Sequence, residues 1–588
     1  MTASILENKL GRRIPSPSGS VRVETTGEIL DRVVEALGAV ERRFGGDEST
    51  VRHWTSRFRS LMEENRFWPS GRVLNNCGTR RPQLASCFVL PLPDDFAEIF
   101  GSLAIAAACH RTGGGTGFDL SALREAGAPI SSAEAAGASG PVSWLHLFDA
   151  ETSVTMQGGK MRGANLASLS VRHPDIFAFI DAKAIVGRLS NFNISVAIDD
   201  AFMYALAAGE SIQLVSPRDG RVVRSVPAGE IWDRLAQNAW RTGDPGVLFV
   251  DAINRANPLA DHLGPITTTN PCGEQTLYPY EASNLGSVNL AAFARAGGIE
   301  WAALEETFAD ATRLLDNAID ASQYPDPRIT ALAVANRRLG LGVMGFADLL
   351  IALGIPYDSQ ACLDLIDELG ARMRRVTWDT SRELAAERGP FPNWKYTGWS
   401  EPARNCAVTT IAPTGTISMV AGCSSGIEPR FAAVWNKDVL AKDGINFYDE
   451  DLLADLCRRT GMSAEESLDL MKNKPLGELP LAPAERAKYR YAHDIAPEWH
   501  VRVAARWQRH IDNAVSKTVN LPADAPVSDA AEVYRLSWEL GCKGTSLYRQ
   551  GSRGRDLLES RSETETQDGY RQSKALLSAG SAEGTAPR

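Results

Sequence analysis

No run in this 588-residue sequence approaches the ~18 consecutive apolar residues that a membrane-spanning helix needs. The first twenty residues carry no apolar signal core either, so neither membrane insertion nor secretion is expected and the cytoplasm is the expected compartment. Histidine is scarce, at eight, and no Cys-x-x-Cys or Cys/His cluster has zinc spacing, which argues against a structural metal site. Positive charge is in deficit, 62 Lys+Arg against 72 Asp+Glu, and a net charge of −10 argues against a general nucleic-acid binder. An anionic substrate would then have to meet a local basic or amide-rich pocket. The nine cysteines are odd in number and stand in a large chain, which does not suggest a disulfide framework. If cysteine matters here, it matters as a single reactive residue. With 44% hydrophobic residues the chain can bury a sizeable core.

Residues 21–66 read as helical, from apolar residues at three- and four-residue spacing on either side of Gly45-Gly46. Beyond Phe67, short β-rich runs (CFVLPL, NFNISVAI, SIQLVS, GVLFV, SVNLAAF, CAVTTIA) alternate with long helical ones such as WAALEETFADATRLLDNAIDA and DLIDELGARMRRVTWDTSRELAAE. Such alternation predicts parallel strands with helical crossovers, an α/β architecture. The expected organisation is a helical N-terminal region over 1–75, an α/β unit over 76–550 and a polar, disordered tail over 551–588.

The most distinctive string is Asn270-Pro271-Cys272-Gly273-Glu274-Gln275. In an extended segment the side chains at 270, 272 and 274 share one face, which would gather an amide, a thiol and a carboxylate able to act as hydrogen-bond donor, hydrogen-atom donor and general base. A plain turn with a buried cysteine fits the residues equally well. Two glycine-rich strings, His110–Gly117 and Gln157–Asn165, could bring backbone amides to a phosphate, with Lys160 and Arg162 adding charge, but tight turns would look the same. Ala412-Pro413-Thr414-Gly415-Thr416-Ile417-Ser418 reads as a strand-to-helix turn suited to a phosphate, or as an ordinary capped helix start. Cys87 lies in a strand-like run, where a buried strand thiol is the default.

Taken in order, LASCFVLPL, HRTGGGTGFDLSALR, QGGKMRGAN, NFNISVAI, NPCGEQ, SNLGSVNL, RRLGLGVMGFADLL, IAPTGTISMVAGCSSGIEPRF and GCKGTSLYRQGSR resemble the adenosylcobalamin-dependent (class II) ribonucleotide reductases, from about Phe67 to Arg553. The resemblance implies a ten-stranded α/β barrel of two five-stranded parallel halves that run antiparallel to each other, with a cysteine-bearing finger loop through its centre. It implies that Cys272 becomes the thiyl radical that abstracts the ribose 3′-hydrogen, that Glu274 takes the 3′-hydroxyl proton, that Asn270 hydrogen-bonds the ribose and that Cys87 delivers reducing equivalents. Ser86, Gly115 and the turn Pro413, Thr414, Gly415, Thr416 and Ile417 would hold the substrate and its phosphates. Asp149, Lys160 and Arg162 match the family's site for a deoxynucleotide effector, which acts across a homodimer interface. Members of the iron-dependent class carry a tandem tyrosine near the C-terminus. Here Gly544–Arg549 holds Tyr548 alone, which implies adenosylcobalamin as the radical source and no partner subunit. No ATP-cone signature precedes the barrel. Resemblance to the dimeric branch implies ribonucleoside diphosphates as substrates.

Three departures stand out. Ser283 occupies the place of the second redox cysteine, no cysteine pair stands in the tail, and Val73 replaces a threonine near the substrate phosphate. Three readings follow from them. The first is a reductase with another electron source: an external small thiol, a thioredoxin-like partner or formate. The second is a cobalamin-dependent radical enzyme that acts on a nucleotide with a non-reductive outcome. The third is a nucleotide-binding paralogue that regulates a true reductase. Retention of Asn270, Cys272 and Glu274 argues against the third, because a binder needs no thiyl chemistry.

Overall fold

A computed structural model describes residues 2–15, 21–130, 133–155, 163–185, 187–437, 445–552 and 558–560. Five strands, β1 (Cys87–Leu90), β2 (Gly115–Asp119), β3 (Asn165–Ser170), β4 (Phe192–Ile198) and β5 (Gly246–Phe249), pair in parallel in that order. A second set begins with β6 (Ala282–Asn289), which runs parallel to β7 (Leu339–Met344). It ends with β8 (Thr518–Leu521) parallel to β9 (Gly544–Arg549). The run CAVTTIA, expected as a strand, forms only isolated bridges, Leu341 to Thr409 and Ile411 to Val515, but both are parallel and they complete the second half between β7 and the segment leading into β8. The halves meet antiparallel at β1–β6 and at β5–β9, so the sheet closes. This is the barrel of two antiparallel parallel-stranded halves that the resemblance implies.

The strands read as near-continuous apolar runs because both faces are buried. Every residue of β1, β5, β6 and β7 is buried. Helices cover the outside, as parallel crossovers require. Among them, α1 (Phe96–Arg111) and α2 (Pro141–Val154) flank β2, whereas α3 (Trp301–Ala321) and the 29-residue α4 (Gln360–Arg388) back the second half. The Ser359 hydroxyl starts α4 by accepting from the Cys362 amide at 3.2 Å, and Gly389 ends it.

The N-terminal region departs from a purely helical reading. Val21–Val23 is a strand paired with Arg13–Pro15, and Phe67–Pro69 adds a tenth strand antiparallel to β6. The helices Thr26–Gly38 and Glu48–Glu63 are capped by Thr25 and Asp47. Their apolar faces (Ile29, Val33, Leu37, Phe58) share one core with Val288 of β6 and Leu339, Leu341 and Val343 of β7, so this region is a buttress of the second half. Most of the tail lies outside the described residues, and within it Leu558–Ser560 forms a strand paired with Val434–Lys437.

Candidate active site

The segment 265–280 leaves the wall and runs into the barrel as a narrow hairpin. A bridge between Thr269 and Thr276 holds its stem. At its tip the Gly273 amide donates to the Asn270 carbonyl at 3.1 Å, with Pro271 at the second position of the turn and Gly273 at φ +81°. The string is therefore a tight turn, not the extended segment that periodicity allowed. Both halves of the barrel grip it. The Glu274 carbonyl accepts from the Ala514 amide at 2.9 Å and from the Thr410 hydroxyl at 2.8 Å, and the Asn193 amide donates to the Pro271 carbonyl at 2.9 Å. Glycines on the wall make room. A β-carbon on Gly117 would collide with the Thr269 carbonyl oxygen, and one on Gly115 would lie 2.8 Å from the Pro271 ring.

The turn brings together the residues singled out in the sequence. Asn270 Nδ2 donates to Cys87 Sγ at 2.9 Å, and the Cys87 thiol points to Glu274 Oε1 at 3.8 Å. Asn270 Oδ1 accepts from the Gln275 amide at 3.0 Å, which fixes the orientation of that side chain. Asn270, Glu274 and Cys87 are buried, whereas Cys272 at the tip is exposed within the protein interior. Burial raises the Glu274 pKa to about 7. The Cys272 thiol is pushed far up, first by desolvation among the surrounding walls and then by the Glu274 charge. The thiol at the tip thus keeps accessible surface while the surrounding walls desolvate it. Cys87 is raised as well, by burial and then by Glu274.

The remaining site residues divide into two groups. Ser86 donates through its hydroxyl to Ser70 Oγ at 3.0 Å and accepts at its carbonyl from the Gly115 amide at 2.9 Å, so Ser86 and Gly115 lie side by side next to the loop tip. Ala412 packs with Leu277, Leu285 and Val89 around Cys87, which carries the turn Pro413, Thr414, Gly415, Thr416 and Ile417 to the same end. Thr414 is left-handed (φ +52°) and its hydroxyl accepts from the Gly426 amide at 2.8 Å, while Gly415 is exposed and Ile417 opens a helix of only five residues. The second group is elsewhere. Asp149, on α2, accepts from the Asn191 backbone amide at 3.0 Å, and Lys160 and Arg162 lie outside the described residues.

Sequence reasoning missed three residues. The Arg72 side chain lies over Gly113, burial lowers its pKa to about 10, and its charge couples to the Cys87 thiol. No local pattern announces that approach. Asn193 grips the loop tip from β4 with equally little warning. Gln275 belongs to the distinctive string, yet its buried amide group makes no side-chain hydrogen bond to the chain, and Glu274 Oε2 and Ser283 Oγ are likewise without partners. Buried polar atoms left open are what a polar ligand or water must satisfy.

The "Ribonucleotide reductase, barrel domain" family matches residues 85–403 and 400–548. A "Vitamin B12-dependent ribonucleoside-diphosphate reductase" of Mycobacterium tuberculosis is 43% identical over 555 residues, 91% of this chain and 78% of that protein. A protein of the same name from Thermoplasma acidophilum is 42% identical over 86% of this chain and 66% of its own length. Among solved structures, the α subunit of the Actinobacillus ureae class Id ribonucleotide reductase superposes with a TM-score of 0.75 at 21% identity, covering 94% of this chain and 98% of that one, a likeness of fold. With the barrel matched along most of its length and close relatives spanning nine-tenths of the sequence, the chain belongs to the ribonucleotide reductases, in their class II branch.

Proposed function

We infer that the protein reduces ribonucleotides to 2′-deoxyribonucleotides by radical chemistry, with adenosylcobalamin as its cofactor. The observation that carries this reading is the convergence of Cys272, Glu274, Asn270 and Cys87 on one loop tip inside the barrel. The relatives named vitamin B12-dependent support it, and neither a non-reductive enzyme nor a regulatory paralogue is favoured.

Cobalamin brings its own corrin nitrogens to the metal, so the chain need offer no set of His, Cys or carboxylate ligands; among the described residues there is none. The chain must instead offer open access to one thiol, and Cys272, bordered by Pro271, Gly273 and Asn193, is exposed. When bound, the cofactor supplies the radical that removes the hydrogen atom from Cys272. The raised thiol pKa serves the same purpose: Cys272 stays S–H, able to give and take back a hydrogen atom, rather than ionising. As a thiyl radical it takes the 3′-hydrogen of the ribose. Glu274, with a pKa near 7, is poised to accept the 3′-hydroxyl proton at neutral pH. Asn270 holds the ribose through the amide hydrogen not committed to Cys87. A radical beside C2′ makes loss of the 2′-hydroxyl as water feasible, and Cys87 supplies reducing equivalents.

Ser86, Gly115 and the turn 413–417 hold the substrate, a ribonucleoside diphosphate, at the end of the barrel adjoining the loop tip. A deoxynucleotide effector binds near Asp149 with Lys160 and Arg162. The chain acts as a homodimer through α1 and α2, where Phe96 and Phe100 are exposed and pack with Trp144 at ring distances of 4.8–6.3 Å. No helix among the described residues is long and apolar enough to cross a membrane. An external reductant regenerates the thiols, as fits a cytoplasmic enzyme. The test is anaerobic incubation with adenosylcobalamin, ribonucleoside diphosphates and a dithiol. Deoxynucleotide is the expected product, and Cys272→Ser abolishes it. Full turnover by that variant would refute the assignment.

A further inference from the structure

We propose that an external thiol, acting as a co-substrate, docks beside Cys87 and forms a mixed disulfide with it in each turnover. This rests on the reductase reading above. Replacing a 2′-hydroxyl by hydrogen takes two electrons and two protons and releases water. Cys272 begins and ends the cycle as a thiol, so it contributes no net electrons. Cys87 contributes one as its sulfur passes from thiol to disulfide. The other must come from a second sulfur that bonds to it.

The chain does not supply that sulfur. In the sheet register Cys87 of β1 directly opposes Ser283 of β6. Beside Asn270, Glu274 and the charge of Arg72, the side chains packed on Cys87 are Val89, Leu277, Leu285 and Ala412. All nine cysteines fall within the described residues. Cys77 and Cys362 belong to the core shared with the N-terminal helices, Cys109 and Cys542 to the core behind the first half, and Cys406 to a separate cluster. Cys423 packs against the first of these cores, and the Cys457 thiol donates to Ser467 Oγ at 3.3 Å, away from the barrel centre. The Ser283 hydroxyl is buried and makes no hydrogen bond among the described residues. It is a polar spot at the very place from which a second sulfur must approach.

The balance closes with a thiol. Ribonucleotide, Cys87–SH and one external R–SH give deoxyribonucleotide, water and Cys87–S–S–R. A second R–SH then attacks the mixed disulfide, restores Cys87–SH and leaves as R–S–S–R. The surroundings select a neutral reductant over an anionic one. Formate would bring a second negative charge beside the Glu274 carboxylate, 3.8 Å from the sulfur, which a neutral thiol does not.

The test compares wild type with Ser283→Cys, both pre-reduced and freed of thiol, under anaerobic conditions with adenosylcobalamin and cytidine diphosphate. Opposed residues of an antiparallel pair have Cα atoms roughly 4.5–5.5 Å apart, within the ~4.4–6.8 Å that a disulfide spans. The variant is therefore expected to form one deoxynucleotide per site without added reductant and then stop, whereas wild type forms none. With 2-mercaptoethanol, wild type is expected to turn over at two thiols per deoxynucleotide. Acid quenching in mid-turnover should show one thiol's mass added to the Cys87 peptide, a readout that does not depend on the variant. Deoxynucleotide formed with formate alone, or with thiol but no adduct on Cys87, overturns the proposal and leaves the reductase reading standing. Absence of deoxynucleotide from either protein with every reductant overturns both.

Discussion

Glu274→Gln is expected to abolish turnover while making the protein more stable at alkaline pH. In the fold the carboxyl titrates at about 7 because burial disfavours its charge. In the unfolded chain it titrates near its ordinary value of 4.5. The folded state therefore holds the proton more tightly. The stability this represents is fully present below pH 4.5 and is lost as pH rises through 7. A shift of about 2.5 units at roughly 1.4 kcal/mol per unit is worth about 3 kcal/mol at pH 8 and under ~1 kcal/mol at pH 5. Glutamine has nearly the same shape, can still accept from the Cys87 thiol and never ionises, so it escapes the penalty. An unfolding entropy of roughly 2.1 cal/mol/K per residue gives about 1.2 kcal/mol per degree for a chain of this length. The variant should then melt about 3 °C above wild type at pH 8, and the gap should shrink below ~1 °C at pH 5. Differential scanning calorimetry of both proteins at the two pH values measures it. A gap that does not change with pH, or a variant that is less stable at pH 8, would refute the raised carboxyl pKa. The same titration predicts that wild-type kcat/KM falls about tenfold per unit as pH drops below ~7.

Three further outcomes test the scaffold. Gly117→Ala should push the finger loop away through the Thr269 carbonyl and cost about a hundredfold in deoxynucleotide formation with substrate still bound, measured as a kcat-against-KM split. Asp316→Asn should destabilise by about 3–5 kcal/mol, because Asp316 is fully buried and faces Arg337, Arg388 and Arg404 at 2.8–3.4 Å; a fall in Tm of about 3–4 °C checks it. If the chain pairs through α1 and α2 as proposed, analytical ultracentrifugation should show wild type as a dimer and Phe96→Asp as a monomer, since Phe96 is 71% exposed beside Phe100 and Trp144; a monomeric wild type would refute the pairing.

Legibility in the sequence followed the range of the interaction. Helix α3 begins and ends where its apolar periodicity does, and β1, β4 and β5 sit on the runs read as strands, because these signals are local. CAVTTIA has the composition of a strand, and its backbone bonds to β7 on one side (Leu341 amide to Val408, Thr410 amide to Leu341) and to the 514–516 segment on the other (Ile411 amide to Ala514), but these bonds extend over too few residues to make more than single bridges. In Asn270–Gln275 the residues were legible and the backbone was not. Period-two reasoning allowed an extended strand, whereas Pro271 and left-handed Gly273 make a turn that reaches Cys87 some 180 residues away. Arg72 and the buried cluster of Glu41, Arg313, Asp316, Arg337, Arg388 and Arg404 were invisible, because each ion pair joins two elements far apart in the chain.

The chemistry of the centre also explains why the scaffold around it is so heavily tied. Glu274 Oε2, the Gln275 amide and the Ser283 and Ser287 hydroxyls are all buried without partners among the described residues. Each such group costs roughly 1–3 kcal/mol of stability until a ligand or water meets it. Two of these groups, Glu274 and Gln275, ride on the loop, which would withdraw toward solvent if its anchors were weak. It is held instead by hydrogen bonds from strands or segments in both halves: Asn193 in the first, Thr410 and Ala514 in the second. Gly115 and Gly117 let it pass close to the wall, and opening those positions with side chains would force it out. On the far side of β7, Arg337 joins Asp316 and Asp320 and fixes α3 against the strand. Unmet polarity at the centre and satisfied charge at the periphery are thus two parts of one arrangement, in which a rigid outer frame keeps a reactive thiol and a half-ionised carboxyl where substrate must come to them.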